Sequence, residues 1–131
     1  MYVLDANAVI DYLRGRGSVA ANFLAVSPGE VGLPAVAAYE VWVGVLGSQN
    51  VARRTMLFEQ LLATLRILPF DGSTGRKAAE LRHLLERNGE AIGPLDTLIA
   101  ATALVNGATL VTRNVREFAR VPGLKVVNWH D

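Results

Sequence analysis

Short runs of apolar, often β-branched residues alternate along the chain with longer segments in which apolar residues recur every three to four positions. The short runs predict strands, and the longer segments predict helices. The predicted strands cover residues 2–4, 30–33, 66–68, 109–112 and 125–127. The predicted helices cover residues 6–14, 19–25, 36–46, 51–65, 74–88 and 95–106, with a short turn at 115–118. This alternation predicts a three-layer α/β/α fold whose central sheet is mostly parallel and has four to five strands.

Several predicted helix ends carry suitable residues. Ser18 and Ser73 are suited to cap the helices that follow them. Gly93-Pro94 places proline in a first helical turn, and Asn106-Gly107 is typical of a helix end.

Composition limits the classes of protein. The 131 residues are 51% hydrophobic, which predicts a single domain over residues 1–131 with one core. Charged residues make up 19% and nearly balance at +1, so any nucleic-acid contact must be local. The absence of cysteine excludes disulfides, thiolate catalysis and cysteine-bound zinc. The first residues lack the features of a signal peptide, and the most apolar stretch is interrupted by Pro34, Glu40 and Gly44. We therefore expect a cytoplasmic protein without a membrane anchor.

Polar residues follow two predicted strands directly. Asp5 follows the first strand, and Arg113 and Asn114 follow the strand at 109–112. In open parallel sheets, ligands bind beyond the carboxyl ends of the strands, where the strand order reverses. Asp5 alone is equally suited to cap the first helix, and Asn7 is an ordinary residue for a first helical turn.

Two further acids lie in unusually apolar helices. Glu40 is the only charged residue between Glu30 and Arg53, and its helical neighbours offer it no basic partner. Such a carboxylate protonates, pairs, binds a metal or lies at the solvent edge of its helix. Asp96 lies near the start of an almost uncharged helix. There it either interacts favourably with the positive end of the helix dipole or serves as a rigidly held metal ligand.

Three carboxylates in apolar surroundings favour a hard cation, Mg²⁺ or Mn²⁺, over zinc. The two histidines, His83 and His130, are interpreted as surface residues. Motifs for a nucleophilic serine or a phosphate-binding loop are missing from the sequence. Metal-assisted hydrolysis of a phosphodiester fits the remaining residues.

The sequence resembles PIN domains, and more closely the VapC-type ribonuclease toxins of type II toxin-antitoxin systems. The resemblance rests on four pieces in order along nearly the whole chain: residues 3–10 around Asp5, Glu40 followed by Gly44, residues 94–101 around Asp96, and residues 110–118 followed by 121–124.

The resemblance implies a PIN-like fold in which Asp5, Glu40 and Asp96 bind one or two Mg²⁺ or Mn²⁺ ions and cleave structured RNA. It gives Asn7, Thr112 and Asn114 supporting roles, while Arg113 and Arg116 are candidate contacts to RNA phosphates. Family members often carry a fourth acid after the fourth strand. This chain has Asn114 there, and its nearest acid is Glu117.

The family also implies a homodimer and a VapB-type antitoxin that blocks the cleft. It further allows toxin and antitoxin to form a larger assembly. Trp42 and the apolar residues of the helix at 51–65 are candidates for an interface, although core packing is the better explanation for them.

Two other functions were weighed. A PIN-like scaffold that binds RNA or protein without cutting is disfavoured by the three retained acids. A different Mg²⁺-dependent phosphoryl enzyme would be expected to place a lysine near its aspartate, and the chain's only lysines are Lys77 and Lys125.

Overall fold

A computed structural model describes the backbone of residues 1–131 and every side chain except that of Pro28. The strands are β1 (Tyr2–Leu4), β2 (Val31–Pro34), β3 (Arg66–Leu68), β4 (Thr109–Val111) and β5 (Lys125–Val127). The α-helices are α1 (Ala6–Arg14), α2 (Val19–Leu24), α3 (Ala35–Leu46), α4 (Val51–Leu62), α5 (Gly72–Arg87), α6 (Pro94–Val105) and α7 (Val115–Phe118). A short 3₁₀ turn, Pro28–Glu30, precedes β2. Every predicted element is present, with small shifts at its ends.

Two predicted helix starts differ from the structure in their chemistry. The prediction that Ser73 caps its helix is wrong, because α5 begins earlier and Asp71 is its N-cap. The Asp71 carboxylate accepts hydrogen bonds from the Thr74 N–H at 3.0 Å and from the Ser73 hydroxyl at 3.0 Å. A carboxylate there also meets the positive end of the helix dipole, which a serine hydroxyl does not match. Ser18 does lie at the N-cap of α2, but its side chain makes no capping hydrogen bond.

The five strands form one fully parallel sheet in the order β3-β2-β1-β4-β5. The chain first moves from β1 to β2 and β3, and then crosses back past β1 to β4 and β5. Parallel crossovers are right-handed, so the first direction places α1–α4 on one face and the second places α5–α7 on the other. The strand order therefore reverses between β1 and β4.

The core lies between the sheet and its helices. The central strands are apolar and almost fully buried, as shown by Val3, Leu33 and Leu110, each 0% exposed. Phe58 of α4 is also 0% exposed, and its ring packs edge-on against Trp42 at 4.8 Å between centroids. Core packing is thus the role of both aromatic residues. Within the described chain, no helix combines the length and apolarity needed to cross a membrane.

The C-terminal segment packs against the loop after α1. The His130 carbonyl accepts a hydrogen bond from the Ser18 N–H at 3.1 Å. Gly17 adopts φ 60°, and a Cβ on it would overlap the same carbonyl oxygen. Glycine is therefore required at this position both by conformation and by space.

Gly17→Ala should destabilise the protein more than Gly15→Ala. Gly15 has a similar φ of 64° but faces open space, so alanine there should cost only the left-handed strain of about 1–2 kcal/mol. Alanine at Gly17 must also displace His130, which should add about 1–3 kcal/mol. Urea unfolding of the two variants measures the difference. Equal losses would contradict tight packing of the C-terminal segment.

Candidate active site

The crevice between β1 and β4 is the place where this topology positions ligands. Asp5 follows β1 directly, and its backbone N–H donates to the Val111 carbonyl of β4 at 3.2 Å. Thr112 follows β4 and is fully buried. The two strand ends are thereby fixed against each other.

Asp5 serves the fold and the crevice together. Its Oδ1 accepts a hydrogen bond from the Ala8 N–H at 2.8 Å, so the carboxylate caps α1. The residue is only 4% exposed, and this burial raises the pKa of its carboxyl group. Hydrogen bonds from Thr112 and Ala8 oppose the rise, as do the charges of His130 and Arg113. Capping and a place in the site, the two interpretations from sequence, are therefore compatible.

Glu40 projects from the middle of α3 and is half-buried. Burial raises the pKa of its carboxyl group, and the negative charges of Asp96 and Asp5 raise it further. Glu40 is thus more than a residue at the solvent edge of α3, because the charges of Asp96 and Asp5 act on its carboxyl group.

Asp96 lies in the first turn of α6, and burial together with two negative charges raises its pKa to about 6. The charges belong to Glu117 and Asp5. Gly93, the N-cap of α6, lies between the two acids: its N–H donates to Glu117 Oε1 at 3.4 Å, and a Cβ on it would lie 3.5 Å from Asp96 Oδ2. Glu117 is therefore a fourth acid of the crevice.

The other residues named from sequence differ in how far they are exposed. The Thr112 hydroxyl accepts a hydrogen bond from the Asn114 N–H at 3.0 Å, which shapes the turn after β4. The side chains of Asn7, Asn114 and Arg116 are exposed. Glu117, and not Asn114, is thus the residue whose charge acts on Asp96.

His130 is buried, so its interpretation as a surface residue is wrong, whereas His83 is exposed as expected. The Nδ1 atom of His130 lies 2.8 Å from Asp11 Oδ2, and Arg113 forms an ion pair with the same oxygen. Burial of Asp11 disfavours its charge, but hydrogen bonds from His130 and Arg113 outweigh this and lower the pKa of the carboxyl group.

Sequence reasoning missed Asp11 altogether. The signal was the one used for Glu40, an acid within an apolar helical run, here between Ile10 and Tyr12. Asp11 holds Arg113, which lies between Thr112 and Asn114, and so fixes the turn that closes one side of the crevice.

The donor set of the crevice fits a hard divalent cation. The side chains of these acids, Asp5, Glu40, Asp96 and Glu117, offer only carboxylate oxygens. Burial and the charges of neighbouring acids raise the pKa values of Glu40 and Asp96. Among the described ion pairs, none joins these four acids to a lysine or arginine. Across the described residues, no three carboxylate or imidazole groups are close enough to enclose a cation without side-chain movement. A cation would thus draw the acids together and relieve their repulsion.

Comparison with known proteins places the chain in a family. The model of the PIN domain family matches residues 2–124. Ribonuclease VapC2 of Rickettsia felis is 30% identical over an alignment of 131 positions that covers 98% of each chain. A tRNA(fMet)-specific endonuclease VapC of Shigella flexneri is 28% identical over 128 residues, covering 98% of this chain and 97% of the relative. The crystal structure of VapBC2 from Rickettsia felis bound to a promoter DNA fragment superposes with a TM-score of 0.91 at 30% identity, covering 98% of both chains.

The chain therefore belongs to the PIN domain family, as its sheet order and acidic crevice indicate. Within that family it groups with the VapC-type proteins, and the resemblance seen in the sequence is confirmed.

The raised pKa of Asp96 predicts that its ionisation destabilises the metal-free fold. The folded state keeps this proton up to about pH 6, whereas the unfolded chain releases it near 3.8. Stability is lost as pH rises between these values, because the unfolded state binds fewer protons there. In EDTA, Asp96→Asn should be more stable than the wild type at about pH 7.5 and similar to it below about pH 4, as measured by urea unfolding.

Glu59→Gln is the matched control, since Glu59 is exposed on α4. Its effect on stability should be small and the same at both pH values. An Asp96→Asn variant no more stable than the wild type at the higher pH would contradict the repulsion described above.

Proposed function

We propose that the protein is a Mg²⁺- or Mn²⁺-dependent endoribonuclease that acts as the toxin of a toxin-antitoxin pair. The observation that carries the proposal is the crevice to which three different elements bring Asp5, Glu40 and Asp96. The charges of Asp5 and Asp96 raise the pKa of Glu40, and those of Glu117 and Asp5 raise the pKa of Asp96. Such repulsion destabilises the metal-free fold, and binding of a cation would relieve it.

The relatives support RNA as the substrate. Two of them are named as a ribonuclease and as a tRNA-specific endonuclease, and both match this chain almost from end to end. We therefore assign structured RNA as the substrate class, with inhibition of translation and growth as the consequence of its cleavage. Because this substrate class is proposed, we also propose the cytoplasm as the location of the protein.

Each residue of the crevice has its own role in the proposed reaction. When bound, Mg²⁺ or Mn²⁺ would acidify a water molecule and offset negative charge on the phosphodiester. Asp5, Glu40 and Asp96 would hold the ion, and Glu117 would add negative charge beside Asp96. The Ala8 N–H donates to Oδ1 of Asp5 and so restricts the orientation of this carboxylate. Arg113 and Arg116, both exposed, would contact phosphates of the RNA.

The proposed partners are a VapB-type antitoxin and a second copy of the chain. The structural neighbour from Rickettsia felis is a VapBC complex on promoter DNA, which supports an antitoxin that binds DNA. Several large apolar side chains on α2, α3 and α4 are exposed, among them Leu24 at 76%, Leu46 at 67% and Met56 at 53%. Exposed apolar residues of this size are typical of surfaces that bind other proteins.

Loss of any of the three central carboxylates should abolish cleavage. Asp5→Asn, Glu40→Gln and Asp96→Asn each remove a charge that holds the cation, and we expect a rate loss of roughly 100-fold or more, the scale seen when one electrostatic group of an active site is removed. The measurement is cleavage of a structured RNA pool by antitoxin-free protein with Mn²⁺, with EDTA as a control.

Glu59→Gln, a change of the same chemistry on an exposed surface, should cut like the wild type. A folded Glu40→Gln protein that still cuts would refute the proposed ligand set. A wild-type protein that binds RNA and Mn²⁺ without cutting would favour the non-catalytic scaffold instead.

Glu117, and not Asn114, should act as the fourth acid in metal binding. Glu117→Gln removes a charge beside Asp96 and should weaken Mn²⁺ binding by about tenfold, as expected for a residue that acts through a ligand. Asn114→Asp adds a carboxylate at the exposed rim and should leave binding equal or tighter. Calorimetric titration with Mn²⁺ compares both variants with the wild type. Unchanged affinity in Glu117→Gln would exclude Glu117 from the site.

A further inference from the structure

A basic cleft lies at the opposite end of α1 from the crevice. Asp5 caps the start of α1, whereas the cleft is formed by the end of α1 and the start of α4 and has a volume of about 570 Å³. It is lined by Arg14, Arg16, Arg53 and Arg54 together with Leu13, Asn50 and Leu57. We call it the arginine cleft. Acidic side chains are missing from its described lining.

Among the described residues, the four arginines have no acidic partner for their charges. The ion pairs of the described chain join Arg76 to Glu80, Arg82 to Glu86, and Asp11 to Arg113 and His130, and none includes a residue of the cleft. All four arginines are exposed. Because the whole chain carries a formal charge of only +1, their grouping concentrates positive charge in one concave place.

The stability of α4 does not explain why two of these arginines lie at its start. Arg53 and Arg54 lie in its first turn, where the positive end of the helix dipole disfavours cations. The side chain of Asn50, the N-cap residue, makes no capping hydrogen bond. These positions would favour acidic residues if helix stability alone decided them. An anion bound in the cleft would remove the conflict.

We propose that the arginine cleft binds phosphate groups of the RNA backbone, as a second contact surface outside the carboxylate crevice. This inference rests on the proposed function, which makes a structured RNA the substrate. Guanidinium groups bind phosphates in bidentate geometry, and backbone contacts of this kind fix the register and orientation of a nucleic acid. A structured RNA held at the cleft and at the crevice would be presented in one orientation.

The lining favours a polyanion over an acidic segment of a protein. A bound protein segment would also bury apolar side chains, and the arginine cleft offers only Leu13 and Leu57 for them. A neighbouring apolar cleft, which includes Phe23, Leu24 and Val26, is better suited to such a segment. The arginine cleft is therefore assigned to phosphates.

The test measures RNA binding without cleavage. Fluorescein-labelled bulk tRNA is titrated in EDTA with Glu40→Gln protein, by anisotropy over a range of salt concentrations. Adding the triple change Arg16→Gln, Arg53→Gln and Arg54→Gln should raise Kd by about tenfold or more at low salt. It should also reduce the slope of log K against log salt by about two to three, since three phosphate contacts are lost.

The matched control removes the same charge elsewhere. Arg76→Gln, Lys77→Gln and Arg82→Gln lie on α5, where the two arginines form only exposed ion pairs of little energetic weight. This control triple should bind tRNA nearly as well as its parent. Urea unfolding checks that both triples are folded, and the cleft triple should be no less stable than its parent because Arg53 and Arg54 oppose the dipole of α4.

The outcomes separate this proposal from the nuclease assignment. Equal losses of tRNA affinity in the two triples, or no loss in the cleft triple, would overturn the cleft as an RNA site even if the wild type cuts RNA. A parallel titration with labelled poly-glutamate tests for an acidic protein segment. If the cleft triple loses poly-glutamate binding but keeps tRNA binding, the proposal is overturned in favour of such a segment. Selective loss of tRNA binding supports it, even if the wild type cuts no RNA and the nuclease assignment fails.

Discussion

Carboxylates that would separate in water are held together at the carboxyl ends of β1 and β4. Parallel pairing of these strands fixes Asp5 beside the turn after β4, and the apolar packing of α3 and α6 brings Glu40 and Asp96 to the same place. Burial and repulsion both oppose the charged forms. The apolar core, which includes the almost fully buried strands beneath the crevice, offsets this cost. Such a trade of stability for a charged site is common where a protein binds or reacts.

Much of this arrangement could be predicted from sequence because it depends on local patterns. Helix and strand periodicity predicted every element, and strand ends indicated where Asp5 would lie. Glu40 was identified by its surroundings, since an acid without basic or polar helical neighbours is unusual. Asp96 followed from the same contrast with the charge-rich helices elsewhere in the chain.

The remaining features depend on contacts between distant parts of the chain. Asp11 and His130 are separated by 119 positions, and the polar sequence around His130 is typical of an exposed end. Glu117 lies on a four-residue helix, too short for periodicity to indicate the direction of its side chain. Its approach to Gly93, 24 positions away, follows from how α6 and α7 meet in space. Sequence patterns predict elements well, but they do not predict these pairings.

The double role of Asp5 bears on how such a protein changes over generations. Asparagine caps helices about as well as aspartate, so Asp5→Asn keeps the hydrogen bond to Ala8 while removing the charge from the crevice. A single nucleotide transition converts either aspartate codon into an asparagine codon. Under the proposed function, cells burdened by an active toxin therefore have a one-step route to a chain that no longer cleaves RNA but still folds and still displays its outer surfaces. Folded relatives without catalysis are the expected product of that route, and they could be kept for binding alone.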